Sequence, residues 1–272
     1  MLTQETGAEP LDATALSLEL WFESVVPPID TARLAEALAP LLGDVDAPEG
    51  GGVLGLRGQQ EALDLAVPVT YLVAEPKERS EAPVSELERT QLWRVLDLAD
   101  ELLDRCRVSI SLVEMMGRPV DAWDRIFALG AIATALVGQT DAIAVRFPHS
   151  GDVYTADQLR GLAEDSDSFG QFAFNARFFA VEGSESEGVA DTYGLYAFGL
   201  PDVQVHFRDL NVGPTVGFVG DVALYLLNNG DVIEDGHTIG EDKWGCQHEL
   251  SLIQPTRTVL DLHAGEHAAG DH

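Results

Sequence analysis

Gly199–Gly240, GLPDVQVHFRDLNVGPTVGFVGDVALYLLNNGDVIEDGHTIG, reads as a strand, a helix and a turn in succession. Val203, Val205 and Phe207 alternate with Gln204, His206 and Arg208, the two-residue period of a half-buried strand. Phe218, Val219, Val222, Ala223, Leu226 and Leu227 then recur at helical spacing. Asn228-Asn229-Gly230 stops that helix, because glycine accepts the left-handed conformation that helix C-termini often need. Nothing in the stretch is a catalytic signature, so it decides a fold and leaves function open.

Upstream, the same periods recur. Leu16, Leu18, Leu20 and Phe22 alternate with polar neighbours as a first strand, and Asp30 caps a helix with Leu34, Leu38, Leu41 and Leu42 inward. Val53–Leu56 and Val67–Val73 predict two more strands. Ser85-x-x-Glu88 is a capping box opening one long helix with Leu92, Val95, Leu96, Ala99, Leu102 and Leu103 on a face. Arg107–Met115 completes the succession strand-helix-strand-strand-helix-strand, a ferredoxin-like βαββαβ order. Ile126–Val137 is apolar nearly all round and predicts a helix sandwiched between layers. Ala142–Phe147 is a short strand, and Thr155-x-x-Gln158 is a second capping box. Phe172–Val181 reads as an aromatic-rich strand, and Cys246–Ile253 and Arg257–His263 as two more, with Pro255 in the turn between them. The expected fold is therefore α+β: two α/β halves with mixed or antiparallel sheets backed by helices. The expected segments are a flexible leader at 1–14, a first half at 15–150, a second half at 151–263 and a disordered tail at 264–272.

The net charge of -30, from 46 acids against 16 bases, repels phosphate backbones and anionic lipid, which argues against nucleic acid and membrane partners. The longest nearly apolar run, Ile126–Val137, is about half of the ~20 residues that a membrane span needs. Cys106 and Cys246 form no C-x-x-C pair, and the polar, acidic MLTQETGAEPLDAT start lacks signal-peptide features, so the expected setting is a reducing cytoplasm. The acids can serve solubility in a salty or acid-biased proteome, or steer a basic partner.

Gly199-Leu200-Pro201-Asp202-Val203-Gln204-Val205, the helix end Ala223–Gly230 and Asp235-Gly236-His237-Thr238-Ile239-Gly240 carry a resemblance. Together they resemble an uncharacterised, mainly bacterial family, the domain of unknown function numbered 4261, and the layout from residue 15 to 263 is similar to it. The resemblance implies an α+β module with no activity, cofactor or catalytic residue to carry over. Suspected immunity proteins among related modules add weight to partner binding.

The polar constellation that could carry chemistry is His206, Asp235, His237, Cys246, His248 and Glu249. In an extended strand Cys246 and His248 share a face, and thiolate, imidazole and carboxylate are zinc ligands. His206, His237, Cys246 and His248 are thus the candidate ligands of a metal-dependent hydrolase, the alternative reading. Each has a plainer role: Asp235-Gly236 is a common turn pair, Cys246 suits a core, and no spacing matches a known zinc motif. His263-Ala264-Gly265-Glu266-His267 matches the H-x-x-E-H zinc-protease pattern in letters only, since Gly265 and the polar tail oppose the helix it requires. Asp235, His237 and Trp244 form a candidate partner surface, because tryptophan is enriched at interface hot spots. The sequence thus points to a non-enzymatic, acidic, cytosolic binding or regulatory protein without cofactor. Its partner would be a basic protein, and an immunity-type role is the sharper version. A structural module with a halophilic-type acidic surface is the remaining alternative.

Overall fold

Leu18, Leu20 and Phe22 face one way from β1 (Ser17–Phe22) and Trp21 the other, all four buried, because this strand lies inside a sheet. The computed structural model describes residues 9–49, 51–78, 84–162 and 166–270. The chain divides into two compact units, residues 15–173 and residues 9–14 with those from 174 onward.

In the first unit α1 (Thr31–Leu42) follows β1, with the Asp30 carboxylate accepting the Arg33 backbone N–H at 3.0 Å. Then come β2 (Val45–Asp46), β3 (Val53–Leu56), the short α2 (Arg57–Ala62), β4 (Val69–Val73), β5 (Lys77–Glu78) and α3 (Glu86–Arg89). The unit continues with α4 (Ala99–Arg105), β6 (Val108–Met115), α5 (Ala122–Gln139), β7 (Ala144–Phe147), β8 (Asp152–Thr155) and α6 (Ala156–Leu162). The sheet order is β2-β3-β4-β6-β1-β7-β8, every neighbouring pair antiparallel, with β5 also on β6.

The α+β class holds, and three expectations are revised. A ferredoxin-like unit interleaves its two βαβ halves, placing the first strand between the third and fourth. Here β6 sits between β4 and β1, so the pairing follows a different topology. The long helix from Ser85 is broken: α3 closes after one turn, a 3-10 segment spans Trp93–Leu98, and Val95 leaves the helical region at φ -127°. That break lets Leu92, Val95, Ala99 and Leu102 pack with Trp21 and Cys106 in one cluster while Leu96 and Leu98 stay exposed. Finally, the unit runs on to Ala173 instead of ending at 150. β8 pairs with β7, and Phe172, expected in a strand of the second half, stacks on Phe147 at 4.7 Å between ring centres.

The second unit contains β9 (Asn175–Ala180), β10 (Glu187–Tyr193), β11 (Asp202–Arg208), α7 (Val212–Asn229), β12 (Thr238–Ile239), β13 (Trp244–Leu250) and β14 (Thr258–His263). Its sheet order is β12-β13-β14-β11-β10-β9. Of the neighbouring strand pairs in that order, β11–β14 is parallel and the others are antiparallel, which makes the sheet mixed. α7 lies against β9, β10 and β11 and ends at Gly230, φ 78°, as the sequence predicts.

β11 is central, and it is buried on both faces instead of one. Gln204 donates to Asp261 at 2.9 Å and accepts the Leu252 backbone N–H at 2.8 Å, so its polar side chain is satisfied under the 251–257 loop. Two end segments expected to be loose are held. Leu11 forms a bridge with Arg257, and Ala268 bridges Phe207 while Ala269 N–H donates to the His206 carbonyl. The remaining parts of those two expectations, residues 1–8 and 271–272, lie outside the described residues.

Candidate functional site

The β12–β13 hairpin closes through residues 240–243, and its first and last residues hold positive φ, Gly240 at 71° and Lys243 at 52°. Gly240 also has no room for a side chain, since a Cβ would meet the Phe218 ring at 2.9 Å. The hairpin therefore lies against the first turns of α7, and Trp244 meets Phe218 edge to face, 5.0 Å between centres. Between them opens a groove of about 500 Å³ lined by Leu210, Pro214, Phe218, Ile239 and Trp244, with Glu241 and Asp242 also on its wall. Asn211 caps α7 there through its side-chain oxygen, which accepts the Gly213 N–H at 3.2 Å. The groove can hold one apolar side chain and offers acids to a cation beside it.

On the face of β11 that carries Gln204 and His206, the polar side chains are paired. Arg257 is fully buried and donates to Asp191 at 2.5 Å and Asp202 at 3.0 Å, while Arg177 donates to Asp191 from β9. Two arginines and two aspartates close as a neutral set, which is how buried charge survives. His206 and Arg208 both contact Glu187, and the Arg208 guanidinium, helped by His206, holds Glu187 below the usual carboxylate range.

The six residues of the sequence constellation are spread over this unit. His206 pairs with Glu187. His248 lies between Asp235, 2.7 Å from Nδ1, and Asp231, 3.2 Å from Nε2. Burial pulls the His248 imidazole down, and its bonds to the two aspartates outweigh that and hold it above the ordinary value. Asp235 is held below the carboxylate range, first by the His248 backbone N–H it accepts. His237 accepts the Glu234 backbone N–H at its Nδ1, and Cys246 is buried with its thiol pushed up by burial. A polar recess of about 420 Å³ is lined by His206, Glu249, Asp261 and His263. Among the described residues no three His, Cys, Asp or Glu side chains converge on a cation-sized position. His263 ends β14 and His267 sits in a 3-10 turn, Gly265–His267, so the H-x-x-E-H letters do not lie on an α-helix.

Of the proposed partner surface, Trp244 lines the groove, whereas Asp235 works with His248 and His237 with Glu234. Phe218 and Pro214 carry no spacing signal that separates a groove wall from a core stripe. The strand, helix and turn that carry the family resemblance fold as β11, α7 and the turn into β12. Residues 191–263 match the family model of a domain of unknown function, DUF4261. The DUF4261 segment thus runs from Asp191 in β10 to His263 at the end of β14, and it contains the whole groove. Arg177 and the 264–270 segment lie outside it. No curated protein and no solved structure matches the chain.

Proposed function

We propose that this chain is a non-enzymatic, acidic, cytoplasmic binding protein that captures a basic protein partner, with the groove beside α7 taking an apolar side chain of that partner. Its sharper form is an immunity-type role in which the acidic chain neutralises the partner. The observation that carries the reading is the groove itself: an aromatic wall of Phe218 and Trp244 next to Glu241 and Asp242, in a chain of net charge -30. Charge speeds encounter and excludes acidic competitors, while a desolvated aromatic pocket supplies affinity that charge alone lacks. Two buried thiols suit a reducing compartment, and no helix among the described residues is long and apolar enough to cross a membrane.

The test is a titration of the full chain with a Lys/Arg-rich peptide bearing one leucine, and with the same peptide bearing serine instead. Trp244→Ala is expected to weaken the leucine peptide about tenfold, a loss of ~1.4 kcal/mol, and to leave the serine peptide unchanged. Rising salt should weaken both. Equal affinity for the leucine peptide with and without Trp244, or binding indifferent to salt, would overturn the proposal.

A further inference from the structure

The groove beside α7 holds more space than one apolar side chain fills, since about 500 Å³ is the size of pocket that takes several connected groups. Its walls say what else can enter.

A helix start ordinarily attracts anions, because its first backbone N–H groups are free. The start of α7 is spent on itself. The Gly213 N–H goes to the Asn211 side-chain oxygen, Pro214 has no N–H, and the Thr215 N–H and hydroxyl both donate to the Asn211 carbonyl, at 3.1 and 2.9 Å. The hairpin side carries Glu241 and Asp242, both exposed. Other exposed acids meet arginines, as Asp46 meets Arg57 and Asp100 meets Arg89. Among the described residues the Glu241 and Asp242 carboxylates have no hydrogen-bond or ion-pair partner. Lys243, the neighbouring cation, does not line the groove. An anion is therefore repelled here, whereas a cation meets two unused acceptor groups.

The rings decide which cation. Phe218 and Trp244 are half-buried, and their planes stand 82° apart, so together they form a corner. A flat group can lie on the face of one ring and abut the other. Guanidinium is planar and weakly hydrated, stacks on aromatic faces and offers paired N–H groups to carboxylates. An ammonium is a compact charge that holds its water.

We infer that the groove is an arginine site: a guanidinium of the partner lies in the Phe218–Trp244 corner and donates to Glu241 and Asp242, beside the apolar side chain. The inference rests on the basic-partner reading above and names the cation that such a partner presents. Its test titrates the full chain with lysine-based peptides of equal charge. Each carries one leucine and, two or four residues on, either arginine or lysine, spacings that put both side chains on one face of an extended or a helical segment. Arginine is expected to bind about tenfold more tightly than lysine at one of the two spacings, and citrulline, flat but uncharged, to lose that gain. Trp244→Leu and, separately, Glu241→Gln/Asp242→Asn should each bring the arginine-to-lysine ratio close to one, with circular dichroism showing that the variants fold. A ratio near one in the parent at both spacings, citrulline equal to arginine, or a ratio that survives either variant overturns the inference. A parent that prefers leucine over serine but treats arginine and lysine alike keeps the groove reading and loses this one. A parent that binds none of the peptides loses both.

Discussion

His149 is enclosed beneath Phe147 and Phe172, and its Nε2 donates to the Phe172 carbonyl at 2.9 Å. Burial is the main reason that its imidazole is held down at about 4, against 6.5 for an ordinary histidine. Between those values the unfolded chain binds a proton that the folded chain refuses. Stability from this group is therefore complete above the unfolded value and falls as pH drops toward the folded one, by about 3 kcal/mol over the whole window. His149→Gln keeps a donor for Phe172 and removes the titration. Urea midpoints measured near neutrality and near pH 5 should fall less in the variant than in the parent; an equal fall would refute the assignment. Gly117 shows the same intolerance in steric form, since a Cβ there would collide with the Glu114 carboxylate. That carboxylate accepts from buried Arg125 and from the Leu16 backbone N–H, so one small residue protects a charge pair and a strand start.

At the level of elements, Arg257 ties together β10, β11 and the loop before β14. It donates to Asp191, to Asp202, to the Thr192 carbonyl and to the Ile253 carbonyl. Arg257→Met is expected to cost about 3–5 kcal/mol, because Asp202 would be left buried without a counter-charge. Equilibrium denaturation followed by circular dichroism checks it, and a loss below about 1 kcal/mol would show that the carboxylates find water instead. None of this was readable in the chain, where Arg257 looks like the opening residue of a strand and its carboxylate partners lie 55 and 66 positions away. What was readable is what local period controls: β1, β6, β11, α7 and both capping boxes. Sheet order was not, because pairing is set by contacts distant in sequence, and β6 inserts next to β1 where alternation says nothing about neighbours. The polar residues of β11 misled for a related reason, since Gln204 has the same period whether it meets water or Asp261. Trp244 stood out by type, while Phe218 read as part of α7's inward stripe and showed its second use only once the hairpin lay against it.

On the scale of the molecule, the charge of -30 is a load on the folded state as well as a lure for cations. Several acids are matched by arginine, as in Arg57–Asp46, Arg89–Asp100 and Arg105–Glu23, but these pairs are exposed and each contributes little. The Tm should therefore rise as salt increases from low to physiological strength and then level off once the Debye length falls to about 8 Å. A Tm that keeps climbing into molar salt would point instead to the halophilic-type module, and calorimetry across that range separates the two.

The backbone N–H of Leu11 donates to the Thr256 carbonyl at 2.8 Å, and Thr14 reaches Ala197. The chain thus touches its second unit before it builds the first, and returns to it at the end. During translation the early tether must wait until Thr256 has been made, roughly 10 to 50 s after Leu11 at ordinary elongation rates. Residues 15–173 can collapse in that interval, whereas the unit that starts at residue 174 gains the 9–14 segment only when Ala197 and Thr256 are in place. Ribosome-release experiments on staggered stop codons would then show protease resistance arriving in two steps, the later one only after Thr256 has emerged.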